Sequence, residues 1–591
     1  MIIMSIAQRM SNKLEFIRKL GLCPSILNLY VDRYSLKFFL NDLFAGFKIF
    51  LLLFPIAFSL AFFCGGSPIQ GVISCAIAAT VSVIFGGSKY QITSIALPVC
   101  VLMFEIQLKY QYKGLLYTAI FVSAILMLFG ILRISNVLKH ISYAFISALT
   151  VYVILSIIIN QAQYLLGINS IQSSQGLLEN FSLFKENLSN VTLGGLTAAA
   201  IFIVPIFLLK SFFRGSSPFL IYLTLGCAAA YAFSSGIVPE LFEIKTIGGE
   251  MMSNQSLIDN IATMAGTAPS QTFLANSLNY AFVIALIIAC EACFCTNISS
   301  SITGDNRLQT NAELISTGIA NFASVACGGL FVSPNINYSM KNIKFKSKTI
   351  VPLIVIAALF GTLTYFNDMI VKFVPINCLA SILIIYAFSE LFNKRVVQYF
   401  NIKSHESYIF WITLILALYF GFIPATVVGF AVSCIFFAER MVRIKDANVH
   451  TTRNHDSGAI EFMTNKNGFA DSLGIPAKVL DKIEVIQVSN ILFLNIAKIV
   501  EEALTAHGKF PGVLIIYFNN VPYFDGEAFD SLKQLVKVAK SKKAMVIISG
   551  TNGMLLDILQ QKATTEKYQD AFGYIVPDFK EAIRQSVARF K

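Results

Sequence analysis

The chain has 591 residues, 13% charged and 56% hydrophobic, with a formal charge of +12 and a mean hydropathy of +0.68. A soluble chain carries about 25% charged residues, so this composition excludes a wholly soluble protein. The cations flank apolar runs and form no basic stripe with interleaved aromatics, which argues against a nucleic-acid partner and for orientation in a bilayer.

In chain order, residues 1–39 read as a basic cytoplasmic segment without the apolar core and cleavage site of a signal peptide. Residues 40–442 hold repeated apolar runs near the ~20 residues that cross a membrane. The expected spans are 43–63, 69–85, 92–107, 114–132, 140–158, 193–212, 217–235, 275–297, 312–326, 333–343, 349–366, 370–390, 407–420 and 423–440. The third and tenth are short or polar, and the tenth is placed because it matches the third under a seven-plus-seven inverted repeat. Charge supports this register. With the amino terminus inside, Arg9, Lys13, Arg133, Lys210, Arg307, Lys344, Lys394 and Arg443 all fall on the cytoplasmic side. The long outside loops, 159–192 and 236–274, hold only Lys185 and Lys245. Both termini are therefore expected in the cytoplasm, in a multi-pass protein of the plasma or inner membrane. Lys48 and Glu105 read as interfacial anchors near span ends.

Two glycine pairs, Gly86-Gly87 and Gly328-Gly329, interrupt the two halves at matching places. Each precedes a short polar segment with a proline, GGSKYQITSIALP and GGLFVSPNINYSM. Paired interrupted segments point to the midplane site of a secondary transporter. Two helix starts facing each other there would hold an anion on backbone N–H groups and dipoles. The substrate-binding candidates are Thr93, Ser94, Ile95 and Ala96 in the first half, and Ser333, Pro334, Asn335, Ile336, Asn337 and Tyr338 in the second.

Glu291 lies in the apolar run ALIIACEACFC, and an intramembrane carboxylate is a functional candidate by default. Away from water a carboxyl binds a proton more readily, so Glu291 is the coupling candidate, with Cys295 one turn on. Na⁺ is the less favoured coupling ion, since a thiol is a poor ligand for it. Cys290, Cys293 and Cys295 have no fourth ligand nearby, so no metal site is expected. The cysteines within spans, among them Cys64, Cys75, Cys227 and Cys434, read as small packing residues. No catalytic triad or phosphate loop stands out, so the chain reads as a transporter and not an enzyme, with no cofactor beyond a coupling H⁺.

Residues 443–480 read as a polar linker. From 481 to 591 short β-rich runs (DKIEVIQVSN, GVLIIYFNN, KAMVIISG) alternate with helical patterns at 495–508, 527–541 and 553–562, the signature of a small α/β domain.

The chain resembles the SulP anion permeases. DLFAGFKIFLLLFPIAFSLA (42–61) resembles the family's first-helix signature, GGSKYQIT (86–93) its approach to the third helix, and ITGDNRLQTNAELISTGIAN (302–321) the stretch after its eighth. The carboxyl end resembles the family's STAS domain. The resemblance implies a polytopic α-helical fold of fourteen spans in core and gate domains, usually a homodimer. It also implies alternating-access transport of a small anion such as sulphate, bicarbonate or a dicarboxylate, with Glu291 at the coupling position. Three departures stand out: Ser94-Ile95 replace the usual Gly-Pro, Tyr338 stands where many members have arginine, and the STAS regulatory loop reads Asp525-Gly526-Glu527 without the phosphorylatable hydroxyl. They leave open an uncoupled channel or exchanger, or a membrane-anchored STAS scaffold.

Overall fold

The computed structural model describes residues 36–166, 168, 176–191, 270–303, 305, 308–365, 374–400 and 405–451. Further on it describes 483–489, 512–519, 536, 539, 544–549, 574–576 and 579–588. The expected spans 193–212 and 217–235, and the loop Asp525-Gly526-Glu527, lie outside the described residues. The chain divides into two compact units, Met1–Phe436 and Phe437–Lys591.

The first unit is helical. α1 (Leu36–Phe63) and α2 (Pro68–Phe85) are followed by a four-residue strand, β1 (Ile92–Ile95), and then α3 (Cys100–Ile131). α3 is kinked at Gln111, whose φ of 55° is non-helical, so one element covers the expected third and fourth spans. α4 (Tyr143–Leu165) and α5 (Gln271–Thr303) come next, then α6 (Thr310–Ala326), a second strand β2 (Val332–Asn335) and the short α7 (Ile336–Lys344). α8 (Val351–Tyr365), α9 (Ile376–Leu391), α10 (His405–Phe420) and the first half of α11 (Phe422–Thr451) complete it. Among the described residues, six helices are long and apolar enough to cross a membrane, and three shorter apolar helices accompany them. α11 stays helical to Thr451, into the stretch expected as linker.

The helices form two packing groups. α1, α2, α3, α5, α6 and α8 pack on one another, while α4 packs on α9 and α10. α1 touches α9 and so joins the groups. Small residues set the close approaches within the first group. A Cβ on Gly71 of α2 would lie 2.2 Å from the Ala57 carbonyl of α1. Asp42, fully buried near the start of α1, accepts from the backbone N–H of Lys348 (2.7 Å) and Thr349 (3.1 Å) and from the Thr349 hydroxyl (2.6 Å). It pins the approach to α8, and the three bonds satisfy a buried carboxyl that would otherwise be costly to remove from water.

In the second unit, β3 (Ile483–Ser489), β4 (Val513–Asn519), β5 (Met545–Ser549) and β6 (Tyr574–Val576) form a parallel sheet in that order. α12 (Phe579–Ala588) packs on it through Phe579, Ala582, Ile583 and Val587. β4 is buried over Val513–Tyr517, as an apolar run covered on both faces should be. β3, β4 and β5 fall on the expected β-rich runs. β6 and α12 were not expected, and the expected helices at 495–508, 527–541 and 553–562 fall almost wholly outside the described residues.

Candidate functional site

Each glycine break leads first into a strand and only then into a helix. β1 and β2 pair antiparallel, with Ile92 opposite Asn335, Thr93 opposite Pro334, Ser94 opposite Ser333 and Ile95 opposite Val332. All but Asn335 of these eight residues are buried. Non-helical backbone at membrane depth is tolerated only where protein satisfies its polar groups, and here side chains complete the pairing. Asn321 of α6 offers its amide as a strand edge, donating to Val332 O and accepting from Val332 N, both at 2.9 Å. Ser74 of α2 accepts from Leu330 N, and Ser324 donates to Leu330 O, both at 2.7 Å. Ser339 of α7 accepts from Ile92 N at 2.9 Å and donates to Asn335 O at 2.7 Å.

The glycines serve this arrangement. Gly328 takes φ 93°, the left-handed region that favours glycine. Gly87 lies so close to α6 that an added Cβ would be 1.9 Å from Gln309 O. Its own N–H donates to Glu313 Oε2 at 2.8 Å, as does that of Ser88 at 3.2 Å. The two motifs GGSKYQIT and NAEL, distant in sequence, are thus one hydrogen-bonded turn. Beside it, Lys89 forms an ion pair with Asp305 at 3.0 Å.

Residues opposite one another in an antiparallel pair share a face. Ser94 and Ser333 therefore form one small, polar pair. The opposite face packs on α2 and α6: the Thr93 hydroxyl is 3.2 Å from that of Ser82, and Val332 clusters with Ala78, Val81 and Ala320. Ser333 faces the carboxyl of Glu291 on α5. Glu291 is half-buried, and its Oε2 is enclosed without a hydrogen-bond partner among the described residues. Tyr386 of α9 interacts electrostatically with Glu291, with Tyr338 and with Glu390, and so brings the second helix group to the site.

The structure brings together Ser94, Ser333 and Glu291 from the expected set. It separates Cys295 from Glu291 in role. The thiol donates to Ser339 at 3.3 Å and helps hold α7 against α5. Thr93, Ile95 and Pro334 belong to the packing face, and the Ala96 N–H extends the pairing by donating to Phe331 O at 3.1 Å. Ile336 and Tyr338 are buried in the core, and Asn337 reaches away to Glu390. The expectation of two bare helix starts aimed at one point is not met. The 3-10 turn Leu97–Val99 precedes α3, so its α-helix begins at Cys100 and not in the ribbon. At α7 the Asn335 side chain caps the N–H groups of Asn337 and Tyr338 at 3.0 and 3.2 Å.

Asp42, Glu313, Tyr386 and Glu390 escaped attention as site-building residues. Local pattern offers no signal for contacts made tens to hundreds of residues away. The one available hint was the match of Glu313 to the stretch after the eighth helix.

The family model described as "Sulfate permease family" matches residues 39–413. The putative sulfate transporter YvdB of Bacillus subtilis (strain 168) is 23% identical over 536 residues, covering 90% of this chain and 96% of that protein. The solved structure of SLC26A9 superposes with a TM-score of 0.62 at 15% identity, covering 98% of this chain and 94% of that one. The transmembrane domain of the cyanobacterial bicarbonate transporter BicA gives 0.54 at 18% identity, covering 68% and 98%.

Proposed function

The chain belongs to the sulfate permease family, and we propose that it is a secondary transporter of small anions working by alternating access. The observation that carries this reading is the Ser94–Ser333 pair, set between two half-helices and facing a carboxyl oxygen that has no partner among the described residues. Two hydroxyls and nearby backbone suit an oxyanion, and their small size leaves room for it. Glu291 then carries the coupling proton. A protonated carboxyl neutralises the site while the anion is bound, and its deprotonation repels the anion after release. The substrate class is sulphate, bicarbonate or a dicarboxylate.

The finer architecture belongs to the same proposal: fourteen spans in a seven-plus-seven repeat over residues 40–442, both termini cytoplasmic, and a homodimer in the plasma or inner membrane. Residues 481–591 form a STAS domain after a linker at 443–480. The parallel sheet with α12 packed on it supports the α/β part of that reading. Relatives described as transporters support a non-enzymatic role.

Uptake of labelled sulphate, bicarbonate and fumarate into proteoliposomes, with and without a proton gradient, tests this. Gradient-driven accumulation of one of them is expected. Glu291→Gln should abolish the accumulation while some binding remains. Equal accumulation by Glu291→Gln refutes coupling, and no uptake of any anion refutes transport.

A further inference from the structure

We propose that Asn337 and Glu390 form a clasp that closes one end of the seam between the two helix groups, and that breaking it opens the site at that end. The inference rests on the transport reading for its purpose but on separate residues for its geometry. Asn337 Nδ2 donates to Glu390 Oε2 at 2.7 Å, and Asn393 Nδ2 donates to Asn337 Oδ1 at 3.4 Å. Lys341 adds its cation, electrostatically attracted to Glu390 and 5.2 Å from the Tyr338 ring centroid.

The two sides of the clasp belong to different groups. α7 is held to the first by Asn342, whose Nδ2 donates to Tyr90 O at 3.1 Å, and by Ser339 with Cys295 and Ile92. Glu390 sits near the end of α9, which packs on α4. These bonds link α7 directly to the α9 end, next to Tyr338 and Tyr386. Tyr386 in turn lies within electrostatic reach of Glu291.

Among the described residues, the other end of the seam holds a cavity beside the Phe62–Tyr164 ring contact. The cavity, of about 230 Å³, is lined by Phe63, Phe104 and Glu105 of the first group, by Tyr152 and Ser156 of the second, and by Phe422 of α11. Phe63 precedes the start of α2, while Tyr90, beside α7, follows its end. α2 has 18 residues, about 27 Å of helix, so cavity and clasp mark opposite ends. One end carries polar bonds across the seam and the other carries a void. A protein with alternating access needs such a removable contact at its closed end.

Spin labels on Lys344→Cys and Phe392→Cys, both exposed positions, report the seam width by pulsed electron paramagnetic resonance in proteoliposomes. The singly substituted chains control for labelling of native thiols. One short distance is expected with the clasp intact. Glu390→Ala and Asn337→Asp should each raise a longer population at least tenfold, because a hydrogen bond to a charged group is lost or opposed. Glu390→Gln, which keeps an acceptor, should raise it less. Unchanged distances in both disrupting variants overturn the clasp. If the unsubstituted protein moves no anion, the transport reading fails, but the distance result still decides this inference.

Discussion

Removing the Glu313 carboxyl should damage the protein far more than neutralising it. Glu313 is 1% exposed, and its Oε2 accepts from two backbone N–H groups, those of Gly87 and Ser88. Its Oε1 has no partner among the described residues. Glu313→Ala leaves two buried donors unsatisfied at about 1–3 kcal/mol each, so roughly 2–6 kcal/mol in all. Glu313→Gln keeps an oxygen in the accepting position and places its NH₂ where Oε1 had no bond, so it should cost about 1 kcal/mol or less. The assay is the fraction of monodisperse protein surviving a temperature ramp in detergent. For a unit of this size the midpoint should fall by roughly 2–6 °C for alanine and by about 1 °C or less for glutamine. Because the turn positions β1, anion uptake should fall in the same order. Equal damage from both variants would show that the charge, and not the acceptor, holds the turn. Full tolerance of alanine would show that the turn does not depend on Glu313 at all.

Three further outcomes are expected. Asp42→Ala orphans three donors, the N–H groups of Lys348 and Thr349 and the Thr349 hydroxyl, and should lower the same midpoint at least as much as Glu313→Ala. Gly87→Ala forces a Cβ to 1.9 Å from Gln309 O, so the yield of folded protein on size-exclusion chromatography should collapse; a normal yield would refute the close approach. Ser333→Ala removes one hydroxyl from the pair facing Glu291 and should raise the KM for the transported anion roughly 2- to 10-fold with little change in maximal rate. An unaltered KM would take Ser333 out of the binding site.

Much of the helical framework was legible because apolar length is a strong local signal. The glycine pairs were also legible as interruptions at matching places. Their purpose was not. Gly87 is required by a backbone 222 residues away, and no local pattern encodes that contact. The strands ITSI and VSPN are four residues each, too short to show a period, and VSPN contains a proline that normally argues against a strand. Pro334 is accepted here because it pairs with Thr93 in a two-stranded ribbon that, among the described residues, has no third strand to receive its missing N–H. In the second unit the β-branched runs of β3, β4 and β5 were legible, while the three-residue β6 was too short to register.

The ribbon alters what the paired glycine interruptions mean for binding. Antiparallel pairing sends α3 and α7 out from opposite ends of the strands, so the strand ends they leave from lie about 10 Å apart, three residues at the strand rise, and the start of α3 is displaced further by the 3-10 turn. A helix dipole acts mainly within its first turn, and two starts at that spacing share a small anion poorly. One of them is also already occupied, since Asn335 caps two N–H groups of α7. The other begins with a 3-10 turn containing Pro98, which has no N–H to offer. Two halves that match as interruptions in the sequence therefore differ in chemistry. What remains between them is the serine pair at the centre of the ribbon, and with it the carboxyl of Glu291. That is why substitutions at Ser94, Ser333 and Glu291 should outweigh any change confined to the helix caps.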